Sequence, residues 1–332
     1  IWASASIGIA VSRPGDGGPE ELLRRADTAM YSAKQNGRNA YMLYNPANPA
    51  PKPGRLSRES QLREAIRNRD LALFYQPLFT LSPLRLKGFE ALVRWQDPKL
   101  GLISPSEFVP MAEEAGLIHE LSRWVLQEAC EQVLHWQELY GVVLPVSVNL
   151  SASDFRRVDF LDEVTNTLNE LKVPPDRIIL ELTESVLLRD PDKAAQVLGE
   201  IRKLGVKIAI DDFGTGYSSL SYLNQFPADI LKIDQSFVRD SDGDKGRAIL
   251  GSIVNLGHAL GMTIVAEGIE TPLQLTTVIT SGCDIGQGFF LGKPESADAI
   301  HVMLSSQKYQ VADPVPDAAI VEPEEPEAVV AA

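Results

Sequence analysis

From residue 71 to residue 305, short apolar runs alternate with amphipathic stretches of helical period, and most of the runs stop on an acid or an amide. No other feature of the chain constrains its fold as much. The runs fall at 71–79, 85–93, 145–150, 177–183, 206–211, 229–234, 262–267 and 283–290. Helical stretches fall at 57–68, 119–139, 153–172, 192–204, 244–260, 272–281 and 296–305. Strands that alternate with helices predict a largely parallel sheet with crossover helices. Eight strands in this length fit an α/β closed barrel of the TIM-like (β/α)8 type. An open, doubly wound sheet has the same alternation and remains the alternative.

The strand ends carry the chemistry. Asn149 ends PVSVNLS, Glu181 sits late in RIILELTE, Asp211 and Asp212 close VKIAIDD, and Lys232 and Asp234 close DILKID. Glu267 ends TIVAE, Gln287 follows CDIG, and Glu90 lies inside LKGFEALVRW. Strands covered by helices are buried on both faces, where an ionised carboxylate is costly unless paired or bound to a cation. In a barrel the C-terminal strand ends meet at one mouth. Glu90, Asn149, Glu181, Asp211, Asp212 and Glu267, with Lys232, would then share that mouth. Oxygen donors suit Mg²⁺ or Mn²⁺ and disfavour zinc. Asp211 and Asp212 together could serve two ions about 3.5–4 Å apart, the arrangement for in-line attack on a phosphate ester. Taken alone, an Asp-Asp pair reads better as a turn or helix cap.

Other polar residues are less specific. FGTGYSSL, after Asp212, reads as a mobile loop that could complete the site or carry a signal to it. Arg94 can grip a phosphate bidentately or lie at the surface. Gln76 could read a base edge, although Pro77 accounts by itself for a strand end there. His119, His135, His258 and His301 all fall in helical stretches and read as surface or satisfied core residues.

The flanks differ from the body. Residues 1–44 hold a strand at 5–11, a turn with Pro14, Gly15, Gly17 and Gly18, a helix at 19–35 capped by Asn36–Gly37, and a strand at 40–44. They are too few for an independent domain and read as the edge of a mixed α/β domain. Residues 45–54 form a Pro-rich linker, and 55–308 the main body. Residues 309–332, with six acidic groups and no basic one, are expected to be disordered. The net charge of −14 argues against a nucleic-acid polymer as partner. Two distant cysteines exclude a disulfide framework. No apolar run approaches the ~18 residues of a membrane span, and no signal peptide is visible. The expectation is a cytoplasmic piece of a longer chain, any sensor or membrane anchor lying upstream.

FEALVRW at 89–95 resembles the signature of the EAL family of cyclic-di-GMP phosphodiesterases. YQP at 75–77, SPSEFVPMAEEAGLI at 104–118, VNLS at 148–151, ELTES at 181–185, DDFGTGYSSL at 211–220, LKID at 231–234, AEGIE at 266–270 and QGF at 287–289 follow in the family's order. ASIGIA at 5–10, LLRRADTAMYSAK at 22–34 and NGRN at 36–39 resemble the C-terminal part of a GGDEF (diguanylate cyclase) domain, whose GG[DE]EF motif does not occur in this sequence.

The resemblance implies a barrel with one antiparallel strand, hydrolysis of cyclic-di-GMP to linear pGpG, and two Mg²⁺ or Mn²⁺ ions. It places Glu90, Asn149, Glu181 and Asp211 at a first ion and Asp211, Asp212 and Glu267 at a second. Glu267 is also a candidate general base. Lys232 contacts the attacking water or phosphate, and Glu184 and Glu270 support the loop and site. Gln76, Arg94 and Gln287 lie near substrate. Partners implied are cyclic-di-GMP, a second copy of the chain, and GGDEF and sensor domains upstream. A non-catalytic cyclic-di-GMP receptor is the alternative, usually accompanied by lost ligands, which this sequence retains.

Overall fold

The computed structural model describes residues 5–12, 18–35, 40–45, 55–68, 70–97, 101–188, 190–214, 223–306 and 311. The expected Asn36–Gly37 cap, most of the 45–54 linker, most of the acidic tail and the greater part of FGTGYSSL lie outside them. Two compact units are present, residues 1–64 and 65–332.

In the first unit, β1 (Ile7–Ile9) and β2 (Tyr41–Leu43) pair in parallel across the helix Pro19–Gln35. Ala29 and Ala33 are buried. A Cβ on Gly8 would stand 2.0 Å from the Ala26 carbonyl oxygen, so only glycine lets strand and helix lie this close.

The second unit is a closed eight-stranded barrel. Its strands are β3 (Leu71–Leu81), β4 (Leu84–Asp97), β6 (Val146–Asn149), β7 (Ile178–Thr183), β8 (Lys207–Phe213), β9 (Ile230–Ile233), β10 (Thr263–Ala266) and β11 (Ile285–Gly286). Two short strands, β5 (Gly101–Ile103) and β12 (Glu295–Ser296), extend β4 and β3. The circuit runs β3, β11, β10, β9, β8, β7, β6, β4, and closes where β4 pairs with β3. Strand β3 alone runs antiparallel to its barrel neighbours. The cause is local: Ser82 and Pro83 are the whole connection between β3 and β4, and a parallel return needs a dozen residues or more.

Alternate strand residues point inward. Leu78, Ile230, Val265 and Ile285 pack together as an apolar floor inside the barrel. Two residues further toward the mouth the inward positions become polar. Outward-facing Leu180, Leu182, Ile208, Ile210, Leu231, Ile233 and Ile264 are buried beneath the helices. Burial on both faces explains why the strands read as unbroken apolar runs. Trp136, near the end of the helix Ile118–Tyr140, is fully buried with its ring centroid 4.9 Å from Tyr75 and 4.8 Å from Phe89.

Several element boundaries depart from the sequence expectation. Pro77 does not end a strand; β3 continues through it to Leu81. Its partner Phe89 sends its N–H to Pro145 of the neighbouring strand side, so Pro77 is not asked to donate to β4. Its other edge lies between the ends of β11 and β12. The expected strand 283–290 is cut to Ile285–Gly286 because residues 288–292 turn, Leu291 and Gly292 both donating to the Gly288 carbonyl. The expected helix 153–172 is two helices, Ala152–Phe155 and Phe160–Leu171. The helix Pro105–Ala115 was not anticipated; its Pro110 masks the helical pattern.

Candidate active site

Each barrel strand delivers one polar side chain to a common layer above the apolar floor. Lys232 from β9 stands at its centre and is 1% exposed. Its Nζ lies 2.6 Å from Glu181 Oε2, 2.8 Å from Glu267 Oε1, 3.3 Å from Asp211 Oδ1 and 3.4 Å from Glu90 Oε2. Glu90 is bound further: Gln287 Nε2 donates to its Oε2 at 2.6 Å and Asn149 Nδ2 to its Oε1 at 2.8 Å. Gln287 Nε2 also reaches Gln76 Oε1 at 3.1 Å, and Gln76 Nε2 donates to the Gly292 carbonyl at 3.2 Å.

Asp212 joins this layer through a backbone irregularity. Ile210 pairs with Leu231 and Phe213 with Ile233, so Asp211 and Asp212 together stand opposite Lys232 alone. Such a bulge re-aims a side chain that strict alternation would send to the opposite face. Asp212 has φ 54°, a left-handed conformation that Asp tolerates better than most residues. Its N–H is taken up by Asp211 Oδ1 at 2.9 Å. Just beyond, Gly214 has φ 94°, and its N–H donates to Glu184 Oε2 at 3.1 Å.

Four carboxylates therefore crowd one ammonium, with Asp212 close to Asp211 and Glu267, and the imbalance shifts several of these groups. Burial pushes the Glu267 carboxyl up to about 7, the nearby Asp211 and Glu90 charges adding to a rise that Lys232 only partly offsets. Glu181 is held well above the usual carboxylate range, first by burial and then by Glu90 and Asp211. Asp212 is raised by burial and by Asp211. Glu90 is the exception: burial opposes its charge, but Lys232, Gln287 and Asn149 outweigh that and hold it below the usual range. Lys232 is held well above an ordinary lysine, since burial is overcome by Glu181, Glu90, Glu267 and Asp211.

The donor chemistry fits a hard divalent cation. Asp211, Asp212 and Glu267 each offer an oxygen, all within 4.8 Å of one another. Among the described residues, buried Gln287 Oε1 finds no hydrogen-bond partner, although Nε2 of the same amide is bonded within this layer. An acid-rich layer of oxygen donors is stabilised by added positive charge, and a bound ion reverses the local sign for an anionic ligand.

The structure thus gathers Glu90, Asn149, Glu181, Asp211, Asp212, Lys232, Glu267, Gln76 and Gln287. Glu184 reaches the backbone beside them. Arg94 lies four residues beyond Glu90 on β4. Its guanidinium sits 5.6 Å from the Phe74 ring centre and donates to the Val93 carbonyl. Half-burial holds its guanidinium below the usual arginine range, and the Glu90 charge offsets this only in part. Glu270 is exposed, and its backbone N–H is taken by Gln274 Oε1. The sequence reading missed the Gly292 carbonyl that orients Gln76. It also missed buried Asp154, whose only signal was an acid three residues after Ser151.

A closed barrel whose parallel strands end in an acidic, cation-accepting mouth defines a class of α/β-barrel enzyme. The EAL domain model matches residues 59–294, and the diguanylate cyclase GGDEF domain model matches residues 2–40. The chain belongs to the EAL family. It is 44% identical over 302 residues to the bifunctional diguanylate cyclase/cyclic di-GMP phosphodiesterase MucR of Pseudomonas aeruginosa, covering 90% of this chain and 44% of that protein. It is 38% identical over 300 residues to the cyclic di-GMP phosphodiesterase PdeR of Escherichia coli, covering 90% of this chain and 45% of that protein. The chain thus spans less than half the length of these two relatives. Its fold matches the solved PaMucR phosphodiesterase in complex with c-di-GMP at TM-score 0.70 and 42% identity, over 73% of this chain and 98% of that one. Among the described residues no helix is long and apolar enough to cross a membrane.

Proposed function

We propose that this EAL domain hydrolyses one phosphodiester bond of cyclic-di-GMP, giving linear pGpG, with two Mg²⁺ or Mn²⁺ ions at the barrel mouth. The observation that carries the reading is the set of four carboxylates around the ammonium of Lys232, with Asp212 grouped beside Asp211 and Glu267. Glu90, Asn149, Glu181 and Asp211 would hold one ion, and Asp211, Asp212 and Glu267 the other. Bound ions would neutralise phosphoryl charge and acidify water.

The chain's own groups do the rest. Glu267 is either a ligand of the second ion or the general base that takes the proton of the attacking water. Lys232 keeps its proton at neutral pH and steadies the carboxylates, its Nζ offering positive charge to the attacking oxygen or the phosphate. Gln76 and Gln287, held by each other and by the Gly292 carbonyl, present fixed amides to the ligand. Arg94 supplies a planar guanidinium to phosphate. Glu184 fixes Gly214, the second residue of the loop that follows Asp212.

The test is turnover. Purified protein with Mg²⁺ or Mn²⁺ is expected to yield pGpG from cyclic-di-GMP, and Glu90→Gln to lose that activity with unchanged circular dichroism. Calorimetric binding of cyclic-di-GMP without turnover in either metal would establish the receptor reading instead. A homodimer that governs the loop belongs to the same proposal; equal specific activity in separated monomer and dimer fractions refutes it.

A further inference from the structure

The tight turn after β6 contains a second buried acid that has no place in the ring. Asp154 is 1% exposed, on the short helix Ala152–Phe155. A buried carboxylate is tolerated only when its oxygens are bonded. Here Ser122 Oγ and Ser151 Oγ both donate to Oδ2 at 2.5 Å, and His119 Nδ1 meets Oδ1 at 2.5 Å. Arg157 Nη1 lies 3.9 Å from Oδ1. Ser122 and His119 do not form a nucleophile–base pair, since each spends its bond on the same carboxylate.

The arrangement is a staple. His119 and Ser122 belong to the opening turns of the helix Ile118–Tyr140, whose far end is locked on the barrel by Trp136. Ser151 caps the short helix by accepting from the Asp154 N–H at 3.1 Å. Asp154 therefore ties Ser151 to the long helix. Two residues before Ser151 stands Asn149, and between them the Leu150 N–H is fixed to the Glu181 carbonyl at 2.9 Å. The Asn149 side chain is exposed at the mouth, so packing does not aim it; the backbone must. Its amide nevertheless meets Glu90 Oε1 at 2.8 Å.

We propose that Asp154 is a positioning residue: by stapling Ser151 to Ser122 and His119, it sets the reach of Asn149 into the ring and tunes its affinity for a divalent cation. The inference rests on Asn149 being a cation ligand. Outer partners of metal ligands typically contribute about 10–100-fold to metal affinity.

The experiment is calorimetric Mn²⁺ binding to the full chain, in a double-mutant cycle of Asp154→Asn and Asn149→Ala. Asp154→Asn is expected to raise the Mn²⁺ Kd about tenfold, and to have no further effect once Asn149 is Ala. Ser122→Ala, a milder change that keeps two of the bonds, is expected to move the Kd the same way by a smaller factor than Asp154→Asn. A purely structural role would lower the melting temperature of both variants and leave their Mn²⁺ affinity alone. That result, or additive effects in the cycle, overturns the inference while leaving the ligand reading intact. An unchanged Kd in Asn149→Ala alone overturns both.

Discussion

Replacing Lys232 by Met removes the one positive charge from the ring and little else, since the two side chains fill similar volume. Four carboxylate oxygens within 3.4 Å of Nζ then face one another without a counter-ion. Removing one partner of a buried ion pair costs about 3–5 kcal/mol. In a domain of this size each kcal/mol moves the melting temperature by about 2–4 °C, so the expected drop is roughly 6–20 °C in chelator at pH 8.

The sign with pH follows from the protons. Glu267 and Glu181 already sit above their unfolded values, so the folded state binds more protons than the unfolded one. Their contribution is fully present below the unfolded carboxylate range and is lost as pH rises through the folded value, about 7 for Glu267. Without Lys232 both carboxyls are pushed further up. The deficit of Lys232→Met should therefore shrink at pH 5 and widen toward pH 8. Millimolar Mg²⁺ or Mn²⁺ should restore more of the melting temperature to the variant than it adds to the parent. Scanning calorimetry at pH 5, 6, 7 and 8, with and without metal, makes the comparison. A variant that melts at or above the parent in chelator at pH 8 would refute the idea that unbalanced carboxylate charge governs this site.

Metal binding should release protons at pH 6, where Glu267 is largely protonated, and release fewer at pH 8.5; calorimetry in two buffers of different ionisation enthalpy measures the number. Burial pushes both Cys130 and Cys283 up to about 12, so neither thiol should react with a thiol-specific reagent at pH 8 until denaturant is added; rapid stoichiometric labelling of the native chain would contradict their placement. Gly214→Ala should cut turnover at least tenfold. Its φ of 94° suits glycine, and a Cβ there would lie 2.6 Å from the Phe237 ring; parental kcat would show that this junction does not shape the site.

The strand–helix alternation and the chemical character of the strand ends were legible in the sequence because both are written in local patterns, whereas closure into a barrel was not, an open doubly wound sheet having the same alternation. Doubly buried strands must be apolar throughout, so an acid near a strand end stands out, and Glu90, Glu181, Asp211 and Glu267 were legible for that reason. The antiparallel β3 was legible too in principle, since Ser82 and Pro83 are too few to carry a crossover. Only the tertiary structure decided how those residues meet. Lys232 and its four carboxylates come from five strands spread over 178 residues, and nothing local says that one ammonium serves them all. The two-for-one pairing that turns Asp212 toward the mouth depends on β9 as much as on β8. His119 looked like an ordinary helical histidine because its partner Asp154 lies 35 residues away. Glu270 and Asn149 both stand near strand ends, yet the first lies exposed with its N–H taken by Gln274 and the second enters the ring. A strand's period tells which face a side chain takes; distance between strands, set by closure of the barrel, decides which charges share it.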